Sequence, residues 1–293
     1  MENLHRGQFL GLPSAGAEAA EAVVVPLPLE QTVSYGGGTA RGPEAVLEAS
    51  CQVEVFDEET LVDFAERPRL HTLEPLPNGG DVQQYLAAAA RGVAALRGKF
   101  VLSLGGEHTA TYGVVTGLTD EPAGLTIVQI DAHADLADEL DGRRWSHGTV
   151  MRRLWERGCR LLQIGVRSLS RPEYEFAAAQ ERIVSFYAHD MRVRWGAILA
   201  ALNAMEGDVY LTIDVDGLDP SVIPSTGTPQ PGGLTWYEAM DVVRALVNAP
   251  GCRLLGADVM EFVPSPHPPG CDIVPARLAA RLLAFWHAAR AGL

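Results

Sequence analysis

Thr126-Ile-Val-Gln-Ile-Asp131-Ala-His133-Ala-Asp135 and Val209-Tyr-Leu-Thr-Ile-Asp214-Val-Asp216 follow one plan: a run that reads as a buried strand, then acids, and in the first case a histidine, at alternate positions. Side chains two apart in an extended chain share a face, so each stretch aims its ligand-type groups at one point beyond a strand end. No lysine or arginine lies within either cluster. Burying an unpaired carboxylate is costly or forces its protonation, so ordinary packing does not account for the pattern. Oxygen donors with a minority of imidazole suit a hard or borderline divalent cation, and the cysteine donors of a structural zinc site are missing. Asp131, His133, Asp135, Asp214 and Asp216 together exceed what one tetrahedral ion takes up. Two divalent ions sharing bridging carboxylates is the economical reading. Such a pair activates water, so the chemistry expected is hydrolytic.

Outward from these stretches, apolar strand-like runs recur at Ala22–Val25, Phe100–Leu104, Leu161–Val166, Ile183–Tyr187 and Arg253–Ala257. Helix-like segments alternate with them: Pro43–Ser50, Val82–Leu96, Thr149–Glu156, Pro172–Glu181, Trp195–Met205, Trp236–Val247 and Val274–Ala289. Strands without a polar face, alternating with helices, indicate an α/β fold with a parallel sheet covered on both sides. With 47% apolar residues and no long low-complexity linker, residues 1–293 read as a single domain. The Pro- and Gly-rich stretches Pro220–Gly233 and Val263–Gly270 each follow a strand and read as functional loops at its carboxyl end.

A formal net charge of −14 argues against nucleic acid or an anionic membrane as the main partner. It suits a cationic substrate, and it equally serves solubility. Cys51, Cys159, Cys252 and Cys271 form no close-spaced pair and read as free thiols in a reducing compartment. Met1–Ala20 lacks a basic start followed by an apolar run, and no stretch reaches the roughly 18 apolar residues of a membrane span. A cytoplasmic location is expected.

Upstream, Val101-Leu-Ser-Leu104 ends in Gly105-Gly-Glu-His108, where two glycines allow a tight turn that delivers His108 toward neighbouring strand ends. A lone histidine there is more often structural than a ligand. Beside two acidic clusters it becomes a further ligand candidate.

Gly105-Gly-Glu-His108, Asp131-Ala-His-Ala-Asp135 and Asp214-Val-Asp-Gly-Leu-Asp-Pro220, in this order, resemble the three metal signatures of the ureohydrolase family, which includes arginases, agmatinases, guanidinobutyrases and formimidoylglutamases. Ser146-His-Gly-Thr149, Ile164-Gly-Val-Arg167, Pro224–Pro229 leading to Gly232-Gly-Leu-Thr235, Gly256-Ala-Asp-Val-Met-Glu261 and Gly42-Pro-Glu-Ala45 extend the likeness over about Ala22 to Leu283. The resemblance implies a three-layer α/β/α sandwich with a mostly parallel eight-stranded sheet, two metal ions, usually Mn2+, and a trimeric or hexameric homo-oligomer. It implies that His108, Asp131, Asp135 and Asp214 hold one ion and Asp131, His133, Asp214 and Asp216 the other. Asp219 then fixes its loop by hydrogen bonding.

Glu261 matches the family's guanidinium-binding glutamate, against the plainer reading of a surface residue at a strand end. His147 matches its proton shuttle; the alternative places it in the first turn of a helix starting near Thr149, capped by Ser146 or Thr149. Asp135 is placed to take a proton from the attacking water, and Thr228 to hydrogen-bond the guanidinium or urea. Ser168–Glu175 lacks the aspartate that arginases usually show there, and Ile164–Phe176 is similar to bacterial agmatinases and aminopropylagmatine ureohydrolases. The expectation is hydrolysis of agmatine or N1-aminopropylagmatine to a polyamine and urea, with Glu173 or Glu175 either receiving the distal amine or standing as solvated helix-start charges. Action on arginine or guanidinobutyrate, a deacetylase on the related fold, and a non-catalytic metal-binding homologue are the alternatives.

Overall fold

Alternate residues of each strand face opposite helical layers. In β1 (Ala22–Leu27), Ala22 and Val24 pack into one apolar core while Val23 and Val25 pack into the other, and β3 (Phe100–Gly105) and β4 (Leu125–Ile130) divide in the same way. The computed structural model describes residues 5, 7–265 and 271–292. Its other strands are β2 (Leu70–Thr72), β5 (Arg160–Val166), β6 (Ile183–Tyr187), β7 (Glu206–Asp214) and β8 (Gly251–Met260). All pair in parallel in one eight-stranded sheet of order β2-β1-β3-β8-β7-β4-β5-β6.

Helices α1 (Gly42–Ser50), α6 (Ala188–Asn203), α7 (Trp236–Val247) and α8 (Ile273–Ala291) cover one face. Helices α2 (Val82–Ala94), α3 (Ala110–Leu118), α4 (Val150–Glu156) and α5 (Arg171–Ala178) cover the other, which completes the three-layer sandwich. Capping boxes, Ser170 with Glu173 and Thr235 with Glu238, start α5 and α7. Each contributes on the order of 1 kcal/mol by satisfying the end amides.

The structure adds β2 and α3, and it starts α6 at Ala188, two turns ahead of the expected Trp195. In α3, Gly113 and Gly117 lie where α2 crosses: a Cβ at Gly117 would stand 2.6 Å from the Ala90 carbonyl oxygen. Glycine there serves close helix packing.

Across the apolar sheet runs one polar row. Ser103, Asp258, Thr212, Gln129, Gln163 and Ser185 stand in register on β3, β8, β7, β4, β5 and β6. All but the half-buried Ser185 are fully buried. The row lies one layer beneath the carboxyl ends of the strands.

Candidate metal centre and cavity

The adjacent strands β3, β8, β7 and β4 end side by side and deliver His108, Glu261, Asp214 with Asp216, and Asp131 with His133 and Asp135. The chain after β3 passes so close to Leu29 that a Cβ at Gly106 would stand 2.0 Å from its carbonyl oxygen, so only glycine admits this turn. His108 Nδ1 lies 3.2 Å from Asp131 Oδ2, 3.1 Å from Asp135 Oδ2 and 3.5 Å from Asp214 Oδ2. His133 Nδ1 lies 3.0 Å from Asp216 Oδ2 and 3.7 Å from Asp131 Oδ1. Two ligand-type clusters result, His108–Asp131–Asp135 and Asp131–His133–Asp216. Asp131 belongs to both, one oxygen turned to each. Asp214 abuts the first cluster through Oδ2, while its Oδ1 accepts the Asp216 backbone N–H at 2.9 Å.

The hydrogen bonds behind His108 test whether a cation fits. The Thr212 hydroxyl donates to Asp258 at 2.6 Å and therefore accepts from His108 Nε2–H at 2.8 Å. Tyr210 and Thr111 also donate to Asp258, both at 2.8 Å. With its proton held on Nε2, His108 turns the lone pair of Nδ1 toward three carboxylates, and that buried atom has no hydrogen-bond partner among the described residues. A lone pair facing acids in a buried site is reconciled by a cation, and two imidazoles with four carboxylates suit a pair of divalent ions.

In the ion-free centre, protons take that part. Burial lowers the His108 and His133 pKa values, but the neighbouring acids outweigh it, holding His108 well above the ordinary imidazole value and His133 at about 12. Burial pushes Asp131 up, yet the two imidazoles bring it below its ordinary range. Burial, then the Asp131 charge, raises Asp135 to about 7; burial, then the charges of Asp216 and Asp131, lifts Asp214 well above its ordinary value. Burial raises Asp216 as well. Cations entering here displace protons.

Above the clusters lies a cavity of about 310 Å³, at the small end of the size range for small-molecule sites. Its lining includes the acids Asp135, Glu173, Asp214 and Glu261, the imidazoles His108, His133 and His147, and, among the described residues, no lysine or arginine. Glu261 is buried, which removes its surface reading. Its Oε1 accepts the His108 backbone N–H at 2.7 Å, and burial, then the Glu107 charge, raises it to about 8. Asp135 and Glu261 both take positive φ, 53° and 63°, a region costly for a glutamate and typical of functional sites.

His147 stands at a helix start and faces the cavity. It opens the 3-10 turn His147–Thr149 ahead of α4, the Thr149 hydroxyl accepting the Ser146 N–H at 3.0 Å, and its ring lines the cavity. Thr32 Oγ1 stands 3.3 Å from Nδ1 and Ser34 Oγ 3.1 Å from Nε2, and burial lowers its pKa. Thr228 lines the cavity with Oγ1 3.5 Å from Asp216 Oδ2. Glu173 lines it too, its oxygens accepting the backbone N–H groups of Leu136 and Ser170, whereas Glu175 is exposed and paired with Arg171 at 2.8 Å.

Two supporting residues, Glu107 and Arg167, carried no assigned role in the sequence. Glu107 is fully buried and accepts the N–H groups of Gln31 and Thr32 and the hydroxyls of Thr32 and Thr109, anchoring the loop that holds His147. Arg167 donates to the carbonyls of Asp216 and Gln230 at 2.6 and 2.7 Å. Asp219 accepts the N–H groups of Ser221 and Gly232, as a loop-fixing residue does. At the rim, the loops 33–38 and 224–229 meet at Gly36 and Gly227, where a Cβ on Gly36 would stand 2.8 Å from the Gly227 carbonyl oxygen. Of the loop expected at Val263–Gly270, residues 266–270 lie outside the described residues; Val263 pairs with Ser225.

Residues 20–285 match the model of the arginase family. An N(1)-aminopropylagmatine ureohydrolase from Synechocystis sp. is 38% identical over 91% of this chain and 89% of its own length. A protein of the same description from Thermus thermophilus is 33% identical over 85% and 84%. In fold, the chain is similar to the agmatine ureohydrolase of Thermoplasma volcanium, with a TM-score of 0.87 at 24% identity over 100% of this chain and 96% of that one.

Proposed function

The chain belongs to the arginase family, and we propose on that premise that it hydrolyses the guanidinium group of agmatine or N1-aminopropylagmatine to urea and putrescine or spermidine. The observation that carries this reading is an acidic cavity lined by no described lysine or arginine, set over two ligand clusters that share Asp131. A cationic guanidine with a further amine matches that charge. The names of the Synechocystis and Thermus relatives support the same substrate class.

His108, Asp131, Asp135, His133, Asp214 and Asp216 would hold two divalent ions, Mn2+ in our reading, with Asp131 and Asp214 shared between them. When bound, such a pair supplies activated water at neutral pH. Glu261, one oxygen fixed by the His108 N–H, offers the other to the planar fork of the guanidinium and so orients its carbon. Thr228 adds a hydroxyl beside it. Asp135, buried beside His108, receives the proton of the attacking water. His147, its pKa lowered by burial and its ring steadied by Thr32 and Ser34, takes up the proton that Asp135 received from the water once the C–O bond has formed, and passes it to the leaving nitrogen as the C–N bond breaks. Glu173, at the cavity wall, faces the distal amine; Glu175 takes no part.

Residues 1–293 would act as one catalytic unit within a cytoplasmic trimer or hexamer that supplies polyamines. Urea release from agmatine, aminopropylagmatine, arginine and guanidinobutyrate, scored on purified protein with Mn2+, tests the reading. Preference for arginine or guanidinobutyrate ends it.

A further inference from the structure

Beneath Asp131 runs a chain of side chains whose polarity is fixed from end to end. A carboxylate can only accept, so Gln129 must turn its amide NH2 toward Asp131, and Nε2 lies 2.7 Å from Oδ2. Gln129 Oε1 therefore faces β5, where Gln163 Nε2 donates to it at 2.6 Å. Gln163 Oε1 is left facing β6 and accepts the Ser185 hydroxyl at 2.8 Å. One charged oxygen thus sets the orientation of two amides and a hydroxyl on three strands.

The same amides hold the ligand loop. Gln163 Nε2 also donates to the Ala134 carbonyl at 2.8 Å, and Gln129 Nε2 reaches the His133 carbonyl at 3.4 Å. Both glutamines are fully buried, each between apolar neighbours in its strand: Val128 and Ile130 beside Gln129, Leu162 and Ile164 beside Gln163. A buried amide pair is costly unless every group is satisfied, so the fold alone gives no reason for it over aliphatic residues.

We propose that Gln129, Gln163 and Ser185 form a positioning relay that fixes which oxygen of Asp131 serves each ligand cluster and holds the Ala134 carbonyl so that Asp135 keeps its place. The relay rests on the two-ion reading of the centre given above. Its reach is two strands: Gln163 and Ser185 touch no ligand side chain, yet they govern the orientation of one. Gln163→Glu reverses the polarity. A carboxylate at 163 accepts from Ser185 and from Gln129, which must then flip and present its own oxygen to Asp131. Gln163→Met keeps the bulk and removes the bonds.

The test titrates Mn2+ alone into the metal-stripped full-length protein by calorimetry and, separately, melts the stripped proteins. The wild type is expected to take up two ions. Gln163→Glu should weaken the affinity about 10- to 100-fold, the range typical of groups that orient metal ligands. Gln163→Met should fall between it and the wild type, Ser185→Ala should lose about threefold, and Ser185→Thr, which retains the hydroxyl, should recover wild-type binding. If Gln163→Glu does not fold, Gln163→Met and the two Ser185 variants decide. Lower melting temperatures with unchanged Mn2+ affinity would reduce these residues to packing and overturn the relay. Failure of the wild type itself to bind Mn2+ would remove the metal centre and the relay with it, an outcome distinct from wild-type binding that the variants leave untouched.

Discussion

Through one half of the polar row, hydrogen bonds run from Asp131 by way of two neutral amides to the half-buried hydroxyl of Ser185; through the other, they run from His108 by way of Thr212 to the fully buried carboxylate of Asp258. The first half feeds donors to a ligand that must be an anion. The second gives an acceptor to a histidine that must keep its proton on Nε2 and its lone pair on Nδ1. Each half polarises its ligand toward a cation, and they do so with opposite chemistry because carboxylate and imidazole need opposite partners. A centre of this kind is built as much by the layer behind it as by the residues that face the ions.

Substitution where the halves meet should have the largest effect. Asp131→Asn leaves one carbonyl oxygen to serve both clusters, so Mn2+ and activity should be lost together, with urea release down by about three orders of magnitude, the equivalent of several kcal/mol of transition-state stabilisation. Full occupancy of both ions in this variant would break the sharing of Asp131. Next in size, Asp258→Asn gives the histidine half a neutral end. The expected cost is about 10- to 100-fold in Mn2+ affinity, read by the same calorimetry. Unchanged affinity would show that the two halves need no difference in charge.

The comparison also has a pH signature. Asp135 and Glu261 have ordinary values of 3.8 and 4.5 and are raised in the ion-free fold to about 7 and about 8, so between roughly pH 4 and 8 the folded chain holds protons that the unfolded chain has released. Groups with raised pKa values favour the fold below their unfolded values and lose that advantage as pH climbs to the folded ones, so the stripped protein should lose stability over this window. Because ligand protons are displaced on binding, Mn2+ affinity should rise over the same window by up to about tenfold per pH unit for each proton released. Melting curves of stripped and Mn2+-loaded protein from pH 5 to 9 should diverge; parallel curves would contradict the proton-for-cation exchange. The smallest change is expected of Tyr210→Phe, which leaves Asp258 two hydroxyl donors. A loss of about 1–2 kcal/mol in stability, with less than threefold in affinity, should appear in urea unfolding and in titration.

Much of this was legible in the sequence because central parallel strands are continuous apolar runs and ligands beyond them keep the period of two. β2 escaped, being three residues with His71 in the middle and recognisable only by its register on β1. Helix α3 escaped; its glycines Gly113 and Gly117 are poor helix formers, and they stand where α2 packs against it. The early turns of α6 carry exposed polar residues such as His189 and Arg192, with little apolar period to reveal them. Gln129 and Thr212 did leave a trace: each is a polar residue within an apolar run, two positions before a ligand and hence on the same face. What they touch depends on the neighbouring strands, and strand order is not written locally.

Where Gly36 and Gly227 touch above the cavity, two main chains rest on each other with no side chain between them. That makes the entrance a gauge whose setting changes in one-carbon steps. A single methyl at either glycine would act as a shim between the two loops, resizing what can pass while leaving the ion-binding floor as it is. Selection for girth and the machinery of bond cleavage are therefore separately adjustable in this chain.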